Sequence, residues 1–128
     1  MTNAAKQNAT CTLQLSREKQ KPTEDKFNAA IIEAVEESFS SFSNLVKEAA
    51  YLHLESTFKI KKQEIPSKIE EFSDAIEQMF GVGAKLIEIR IIEALHSRIR
   101  EFVFYPKKGD VAFKEYVASL RAFLLQTL

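Results

Sequence analysis

Turn-forming residues are scarce in this chain, which has 128 residues but only three glycines and three prolines. Long intervals with few other turn residues lie between these six residues. They are Pro22, Pro66, Gly81, Gly83, Pro106 and Gly109. An all-β domain needs frequent turns between short strands, whereas helices run through intervals of this length. The spacing therefore predicts an all-α fold, a compact bundle of about five helices.

The N-terminal segment is polar, and we expect residues 1–22 to be a flexible tail that precedes a single helical domain over residues 23–128. Thr23 predicts the start of the first helix, because threonine is a favourable N-cap and Glu24 and Asp25 complement the helix dipole. Apolar side chains then recur at three- and four-residue spacing: Phe27, Ile31, Ala34 and Val35. This spacing predicts an amphipathic helix.

The next two helices are delimited by short capping signals. Ser43 predicts the N-cap of a second helix that ends near Phe58. The apolar residues of this helix spread around most of its circumference: Leu45, Val46, Ala49, Ala50, Leu52 and Leu54. This spread predicts a central, buried helix. Ser67 and Glu70 form an S-x-x-E capping box before a third helix, and Gly81 predicts its end.

The longest apolar-rich interval covers residues 84–104, and its part L-I-E-I-R-I over residues 86–91 also alternates as a strand does. The whole interval is too long for a typical strand, so we interpret it as a fourth helix. We expect a turn at residues 105–109, after which Asp110 caps a fifth helix. One apolar stripe runs along that helix: Phe113, Val117, Leu120 and Leu124.

The chain has 18 basic and 18 acidic residues, and this balance makes it a poor candidate for bulk attraction to nucleic acid or anionic lipid. The charges are nevertheless segregated along the sequence. Residues 24–38 and 69–80 each carry a net charge of −4, whereas residues 59–68 and 85–108 each carry +3. The simplest interpretation is solvated faces and attraction within the chain. The alternative is a bipolar surface that binds a partner or another copy.

One Cys and two His exclude a metal site of four Cys and His ligands, and they also exclude a disulfide within the chain. No stretch approaches the roughly 20 apolar residues that span a bilayer, and residues 1–22 contain no apolar run of the signal-peptide type. We therefore expect a cytoplasmic protein that binds no membrane, no metal and no cofactor.

The residue types used in catalysis do not form a recognisable site in the sequence. The segment G-V-G-A-K over residues 81–85 resembles the opening of a phosphate loop but lacks the full motif, so we interpret it as a tight turn between helices. Cys11 lies in the expected tail, with no local group to activate its thiol. His53 and His96 lie on different helices, and we interpret both as packed or partly exposed side chains. We therefore expect a protein that is not an enzyme.

Two surfaces remain as candidates for function. Aromatic residues near the fourth and fifth helices predict an apolar surface for a protein partner or for self-association: Phe102, Phe104, Tyr116 and Phe123. The alternative is a nucleic-acid-binding transcriptional regulator that uses the basic segments 59–68 and 90–108. Its phosphate contacts would come from five residues: Lys59, Lys61, Lys62, Arg98 and Arg100. We rank it second, because the basic helix is dominated by Ile and Leu rather than by polar base-reading residues.

The central part of the chain carries a family resemblance. Its order is Y-L-H-L-E-S-T-F-K-I (51–60), K-K-Q-E-I-P (61–66), I-E-E-F-S-D-A-I-E-Q-M-F-G (69–81) and G-A-K-L-I-E (83–88), followed by a helix rich in Leu and Ile. Over residues 26–100 this order resembles the archaeal Nitrosopumilus output domain family. The resemblance implies an all-helical module of archaeal signalling proteins, often preceded by a receiver domain.

The chain departs from that signalling arrangement in two respects, one of which is that its final helix, from Asp110, lies outside the part that resembles the family. Residues 1–22 are too few for the five βα units and the phosphoacceptor Asp of a receiver domain. We therefore expect a stand-alone adaptor or regulator that binds another protein or a second copy of itself. Its predicted function is that of a non-enzymatic interaction or signal-output module acting through helix faces.

Overall fold

The computed structural model describes residues 13–103 and 112–126, with side chains from residue 24 onward. These residues form five α-helices: α1 (Leu13–Ser40), α2 (Asn44–Phe58), α3 (Ile69–Phe80), α4 (Ala84–Arg98) and α5 (Phe113–Gln126). Two short 3₁₀ helices, Lys62–Ser67 and Gly81–Gly83, precede α3 and α4. No strand occurs in this part of the chain, so the predicted all-α fold with five helices is confirmed.

Helix α1 lies at the centre of the fold. It packs along α4 and also contacts α2, α5 and the first 3₁₀ helix. Its inward side chains are buried: Phe27, Ile31, Ala34, Val35 and Phe39. Ser38 is buried among them, and its hydroxyl donates a hydrogen bond to the carbonyl of Ile87 in α4 at 3.3 Å. This bond gives the buried hydroxyl a partner and joins the two helices.

The prediction that α2 is the central, buried helix is wrong. Only Ala50 and Leu54 of this helix are buried, whereas Leu45 is 77% exposed and Leu52 is 71% exposed. Leu45 and Leu52 are seven residues apart and therefore project from the same side of α2. The sequence pattern failed because the core covers one side of α2, and the opposite side carries leucines without being covered by the described residues.

Helix α1 begins at Leu13, earlier than the predicted start at Thr23. The intervening residues, L-Q-L-S-R-E-K-Q-K over 13–21, are mostly strong helix formers, and the helix continues through Pro22. The helix propensity of residues 13–21 therefore outweighs the capping signal at Thr23, and the helix starts before that residue. Residues 1–12 of the expected tail lie outside the described residues.

The N-caps predicted for α2 and α3 have different outcomes. Ser43 caps α2 as predicted, because its hydroxyl accepts a hydrogen bond from the backbone N–H of Val46 at 3.0 Å. The capping box at Ser67 is wrong. Ser67 ends the first 3₁₀ helix and donates to the carbonyl of Glu64 at 2.9 Å, and Lys68 precedes α3. Burial of the Ile65–Pro66 pair holds this connector against the core and keeps Ser67 in the 3₁₀ helix.

The junction between α3 and α4 agrees with its sequence interpretation. Gly81 has φ 57° and ends α3, and residues 81–83 form a single 3₁₀ turn that leads directly into α4. The alternating segment L-I-E-I-R-I lies entirely within α4, so its helical interpretation is confirmed. The G-V-G-A-K segment is accordingly a tight connection between two helices.

Helix α4 ends at Arg98, before the predicted end at Phe104. Ile99 leaves helical geometry, with φ −130° and ψ 77°, and both Ile99 and Phe102 enter the core. Arg98 donates from Nη1 to the carbonyl of Ala94 at 3.0 Å, which adds a side-chain hydrogen bond to the last turn. The chain therefore leaves the helix in a way that buries two apolar side chains.

The C-terminal helix covers one end of this core. Its predicted stripe is buried: Phe113, Val117, Leu120 and Leu124. Helix α5 contacts α1, α3 and α4. The predicted turn at residues 105–109 and the predicted cap Asp110 lie outside the described residues.

Candidate functional site

The aromatic residues predicted to form a contact surface lie largely in the core. Phe102 and Tyr116 are only 6% and 4% exposed, and their rings meet edge to face with centroids 5.4 Å apart. Phe123 is half-buried, with its ring centroid 5.3 Å from that of Phe102. Phe104 lies outside the described residues. The predicted role of Phe102 and Tyr116 in an exposed surface is therefore wrong, because they join the end of α4 to α5.

Two of the five residues predicted to contact phosphates are paired with carboxylates of α1. Lys62 Nζ lies 2.8 Å from Glu36 Oε1. Arg98 Nη2 lies 2.8 Å from Glu37 Oε1, and its Nε lies 3.3 Å from Glu33 Oε1. The Glu37 contact, followed by that of Glu33, raises the pKa of Arg98 above its ordinary value. These two cations therefore neutralise the acidic side of α1.

The other three predicted phosphate contacts lie near the surface. Lys59 has φ 60°, ends α2, and donates from Nζ to the carbonyl of Ser56 at 3.1 Å. The backbone N–H of Lys61 donates to Glu64 Oε1 at 2.9 Å, which begins the first 3₁₀ helix. Arg100 is exposed just beyond α4. These cations are spread over separate elements and do not line one recognition helix.

Glu36 is the centre of the most connected polar cluster in the described residues. Lys47 Nζ lies 3.0 Å from its Oε2, and the Tyr51 hydroxyl donates to its Oε1 at 3.0 Å. The hydrogen bond from Lys62 and those from Lys47 and Tyr51 lower the pKa of Glu36 to about 2, against the opposing effect of burial. Burial and the adjacent carboxylate raise the pKa of Tyr51 above its ordinary value. Through these contacts to Glu36, the cluster holds α2 and the connector that contains Lys62 against α1.

A second polar contact joins α3 to α4. Ser73 is buried, and its hydroxyl donates to Glu88 Oε2 at 3.0 Å. Burial raises the pKa of Glu88 above its ordinary value, although the hydrogen bond from Ser73 opposes the shift. A carboxyl with a raised pKa is a candidate acid or base only if it faces a cleft. Glu88 instead lies between two packed helices.

The two histidines do not form a metal site. His53 is exposed, contrary to its expected place on a buried helix, and its ring centroid lies 5.7 Å from that of Phe58. His96 is exposed on α4. Across residues 13–103 and 112–126, no three His, Cys, Asp or Glu side chains are grouped so that they could hold a metal ion. Cys11 lies outside that range.

A cavity with a volume of about 370 Å³ lies between α1, α3 and α5. Phe27, Ile69 and Val117 supply part of its apolar wall. Its two cations already have carboxylate partners, since Lys114 Nζ lies 3.1 Å from Asp74 Oδ1 and Arg121 Nη2 lies 3.3 Å from Glu24 Oε2. The two cations of this cavity are therefore used to hold α5 against α3 and α1.

Exposed apolar side chains are concentrated on α2, α4 and the connections beside them. Six of the eight large hydrophobic side chains that are exposed in the described residues lie there: Phe42, Leu45, Leu52, Val82, Leu86 and Ile89. We call this set the α2–α4 face. Val82, in the turn before α4, is 103% exposed. Apolar surface of this kind is characteristic of interaction sites when it is contiguous.

A small groove lies between Phe42 and Leu86 of this set. It has a volume of about 190 Å³ and is lined by six residues of α2, α4 and the adjoining turns: Phe42, Val46, Phe80, Gly83, Leu86 and Ile87. Arg90 stands at its edge, with the guanidinium carbon 4.9 Å from the centre of the Phe42 ring. Arg90 Nη1 also donates to the hydroxyl of Ser41 at 3.1 Å. The groove thus has an apolar floor and a fixed cation beside it.

Exposed charges of both signs flank these apolar side chains. Glu48 and Glu55 lie on α2 beside Leu45 and Leu52, and Lys85, Arg90 and Glu93 lie on α4 beside Leu86 and Ile89. None of these five charges forms a salt bridge with another described residue. They contrast with Lys47, Lys62 and Arg98, whose charges are neutralised within the chain.

Sequence reasoning missed this face although a signal for it exists. Leu45 and Leu52 are seven residues apart, and so are Glu48 and Glu55. A repeated pairing of one leucine with one acid, three residues later, is typical of a helix side that is apolar at its centre and charged at its edge. The pattern was interpreted as burial because Ala50 and Leu54 extend it around the helix.

Comparison with known proteins finds no matching family model, no matching curated protein and no matching solved structure. The resemblance to the output domain family therefore stays a prediction. In the part of the chain that the structure describes, no helix is long and apolar enough to cross a membrane.

Proposed function

We propose that this chain is a non-enzymatic protein-interaction module, of the kind expected of a signal-output domain, and that it acts through the α2–α4 face. The observation that supports this most is the presence of six exposed large hydrophobic side chains on that face. Protein partners bury such side chains at the centre of an interface and leave charged groups at its rim. The groove between Phe42 and Leu86 would accept one apolar side chain of a partner.

The surrounding charges favour a folded or helical protein partner. Glu48 and Glu55 on α2, and Lys85, Arg90 and Glu93 on α4, flank the apolar centre, so a matching partner presents both signs at fixed positions. A uniform polyanion would match only Lys85 and Arg90. The resemblance to an archaeal signalling module and the single Cys agree with a regulatory role in the cytoplasm, which we include in the proposal.

The nucleic-acid alternative has weaker support. Lys62 and Arg98, two of its five expected phosphate contacts, already pair with carboxylates of Glu36, Glu33 and Glu37. Releasing them would uncover acidic groups on α1 next to the phosphate backbone. A protein partner at the α2–α4 face requires no such rearrangement.

Site-specific photocrosslinking tests the proposal. A photoreactive phenylalanine analogue replaces Leu86 in one sample and Leu125, an exposed apolar residue of α5, in a control sample. We expect a discrete protein adduct at position 86 in an extract of the source cells, identified by mass spectrometry. The adduct should disappear when Leu45→Glu is added, because the substitution places a charge in the apolar face.

The controls separate a true surface from general stickiness. Equal adducts at positions 86 and 125, or adducts at position 86 that survive Leu45→Glu, would contradict the proposed surface. Circular dichroism spectra of each variant confirm that the helices are retained, since Leu45 and Leu86 are exposed and make few core contacts.

A further inference from the structure

We propose that the partner at α2 is an amphipathic helix of another protein, with Lys or Arg along one edge of its apolar stripe. This inference rests on the proposed function, because it assigns the chemistry of a partner that binds the α2–α4 face. The helix that receives this partner is α2, whose outward side is exposed from Leu45 to Ser56.

The outward side of α2 has the pattern of one half of a coiled coil. Four exposed residues follow one another at intervals of four, three and four positions: Leu45, Ala49, Leu52 and Ser56. This spacing places them on one stripe, which we call the α2 seam. Ala50 and Leu54 are buried on the opposite side of the helix, so packing against the core leaves the seam uncovered.

The composition of the α2 seam favours a helix as its cover. Leu45 is 77% exposed and Leu52 is 71% exposed, and the two leucines are seven residues apart. Leucines at this interval are the knobs that a facing helix receives in the holes between its own side chains. The small side chains of Ala49 and Ser56 alternate with them and let the second helix approach closely.

Both acids of this side of α2 lie on the same edge of the seam. Glu48 and Glu55 each follow a seam leucine by three residues and are themselves seven residues apart. Both are exposed, and neither forms a salt bridge with another described residue. Charges that flank the apolar stripe of a coiled coil determine which partner is accepted. The matching helix therefore carries Lys or Arg at two positions seven residues apart.

The position of Glu55 is unfavourable for α2 itself. Glu55 lies in the last turn, where the helix dipole disfavours an acid, and this turn contains no basic residue. Lys59 follows the helix, but its Nζ donates to the carbonyl of Ser56 at 3.1 Å and forms no salt bridge with Glu55. A cation of the partner beside Glu55 offsets both the uncompensated charge and the dipole.

A second α2 does not supply these cations. When two identical helices pair antiparallel, the same edge of each meets, so Glu48 and Glu55 of one copy face the glutamates of the other. When they pair parallel, each glutamate edge meets the opposite edge, which presents Val46 and His53 rather than Lys or Arg. Charge complementarity therefore favours a different protein over a second copy at the α2 seam.

Two synthetic peptides test this assignment on the full chain. Each has about 21 residues, a stripe of alternating Leu and Ala at seam spacing, and a fluorophore. One carries Lys on both edges of the stripe, and the other carries Glu at the same positions. Fluorescence anisotropy measures binding. We expect the basic peptide to bind about tenfold more tightly than the acidic one, with a preference that falls as salt is added.

Substitutions in the chain identify the surface that binds the peptide. A double variant with Glu48→Lys and Glu55→Lys should bind the acidic peptide more tightly than the basic one. Leu52→Glu should abolish binding of the basic peptide, whereas Leu125→Glu on α5 should leave it unchanged. Equal binding of the two peptides to the wild-type chain, or an unreversed preference in the double variant, overturns the proposal. Circular dichroism shows that each variant keeps its helices.

Sedimentation velocity of the wild-type chain examines the second copy directly. We expect a monomer at all concentrations, and a dimer that is lost with Leu52→Glu would overturn the proposal in favour of self-association. The proposed function fails separately. A position-specific protein adduct at Leu86, with neither peptide bound, leaves the interaction function standing and overturns only the assignment at α2. A chain that binds neither peptide and gives no adduct at Leu86 overturns both.

Discussion

Lys62 Nζ lies 2.8 Å from Glu36 Oε1 and thereby fastens the basic connector to the acidic side of α1. Lys47 and Tyr51 of α2 bind the same carboxylate. Much of the charge segregation seen in the sequence is therefore neutralised within the fold. The charges that keep no such partner on the α2–α4 face are consequently the informative ones.

The Glu36 cluster predicts a dependence of stability on pH. The pKa of Glu36 is lowered from 4.5 to about 2 in the folded chain, so its charged form stabilises the fold fully above its ordinary pKa. This contribution is lost as the pH falls from 4.5 towards 2. We expect Glu36→Gln to lower the free energy of unfolding by about 1–2 kcal/mol at neutral pH. Urea unfolding at several pH values measures the difference.

The difference between wild type and Glu36→Gln should shrink through that acidic range. Glu55→Gln is the matched control, because Glu55 is an exposed acid of α2 that has no salt bridge in the described residues. A pH-independent difference for Glu36→Gln, or an equal effect of Glu55→Gln, would show that the cluster does not provide the stabilisation.

The ion pairs of Lys62 and Arg98 predict weak binding to nucleic acid. Their charges already neutralise Glu36, Glu33 and Glu37, so they contribute little to counterion release. We expect no mobility shift of a duplex DNA or an RNA hairpin even at low salt. A shift that weakens steeply with salt, and that is lost in a Lys59→Ala and Lys61→Ala double variant, would instead favour the regulator hypothesis.

Gly81 and Gly83 give a matched pair of substitutions in one turn. Gly81 has φ 57° and ψ −126°, a conformation that disfavours a side chain, although a Cβ at Gly81 would meet no atom within 4 Å. Gly81→Ala should therefore cost about 1–3 kcal/mol through the backbone alone. Gly83 has φ −77°, and a Cβ there would lie 3.9 Å from Phe80 Cβ.

Gly83→Ala should consequently be neutral or stabilise the fold by up to about 1 kcal/mol. Thermal and urea unfolding of the two variants measure the contrast. Equal destabilisation by both substitutions would show that space, rather than backbone conformation, limits this turn.

Phe102 and Val103 are neighbours with opposite environments. Phe102 is buried against Tyr116 and Phe123, whereas Val103 is 58% exposed. Phe102→Ala should lower the free energy of unfolding by about 3–5 kcal/mol, and Val103→Ala should change it little. Chemical denaturation measures both. An unchanged free energy of unfolding for Phe102→Ala would contradict the placement of this ring in the core.

The sequence predicted the helices well because their limits depend mainly on local chemistry. Ser43 caps α2 through a bond to Val46, and Gly81 ends α3 with a positive φ. Three limits were wrong: α1 begins at Leu13 rather than at Thr23, and two further limits depended on tertiary contacts. Burial of Ile65 and Pro66 displaced the capping residue of α3, and burial of Ile99 ended α4 early.

The candidate site could not be predicted in the same way. Whether Leu45 and Leu52 are buried depends on which side of α2 meets α1, and the spread of apolar residues around α2 does not determine that side. The aromatic run at Phe102 was an ambiguous signal for the same reason. The same local sequence is compatible with an exposed aromatic surface and with a core in which Phe102 packs against α5.

Use of the α2–α4 face as a protein-binding surface is the central claim of this account. Photocrosslinking from position 86, compared with position 125 of α5, measures it most directly. We expect a discrete protein adduct at position 86 that is lost when Leu45→Glu is added. Equal adducts at the two positions, or an adduct at position 86 that survives Leu45→Glu, would contradict the claim.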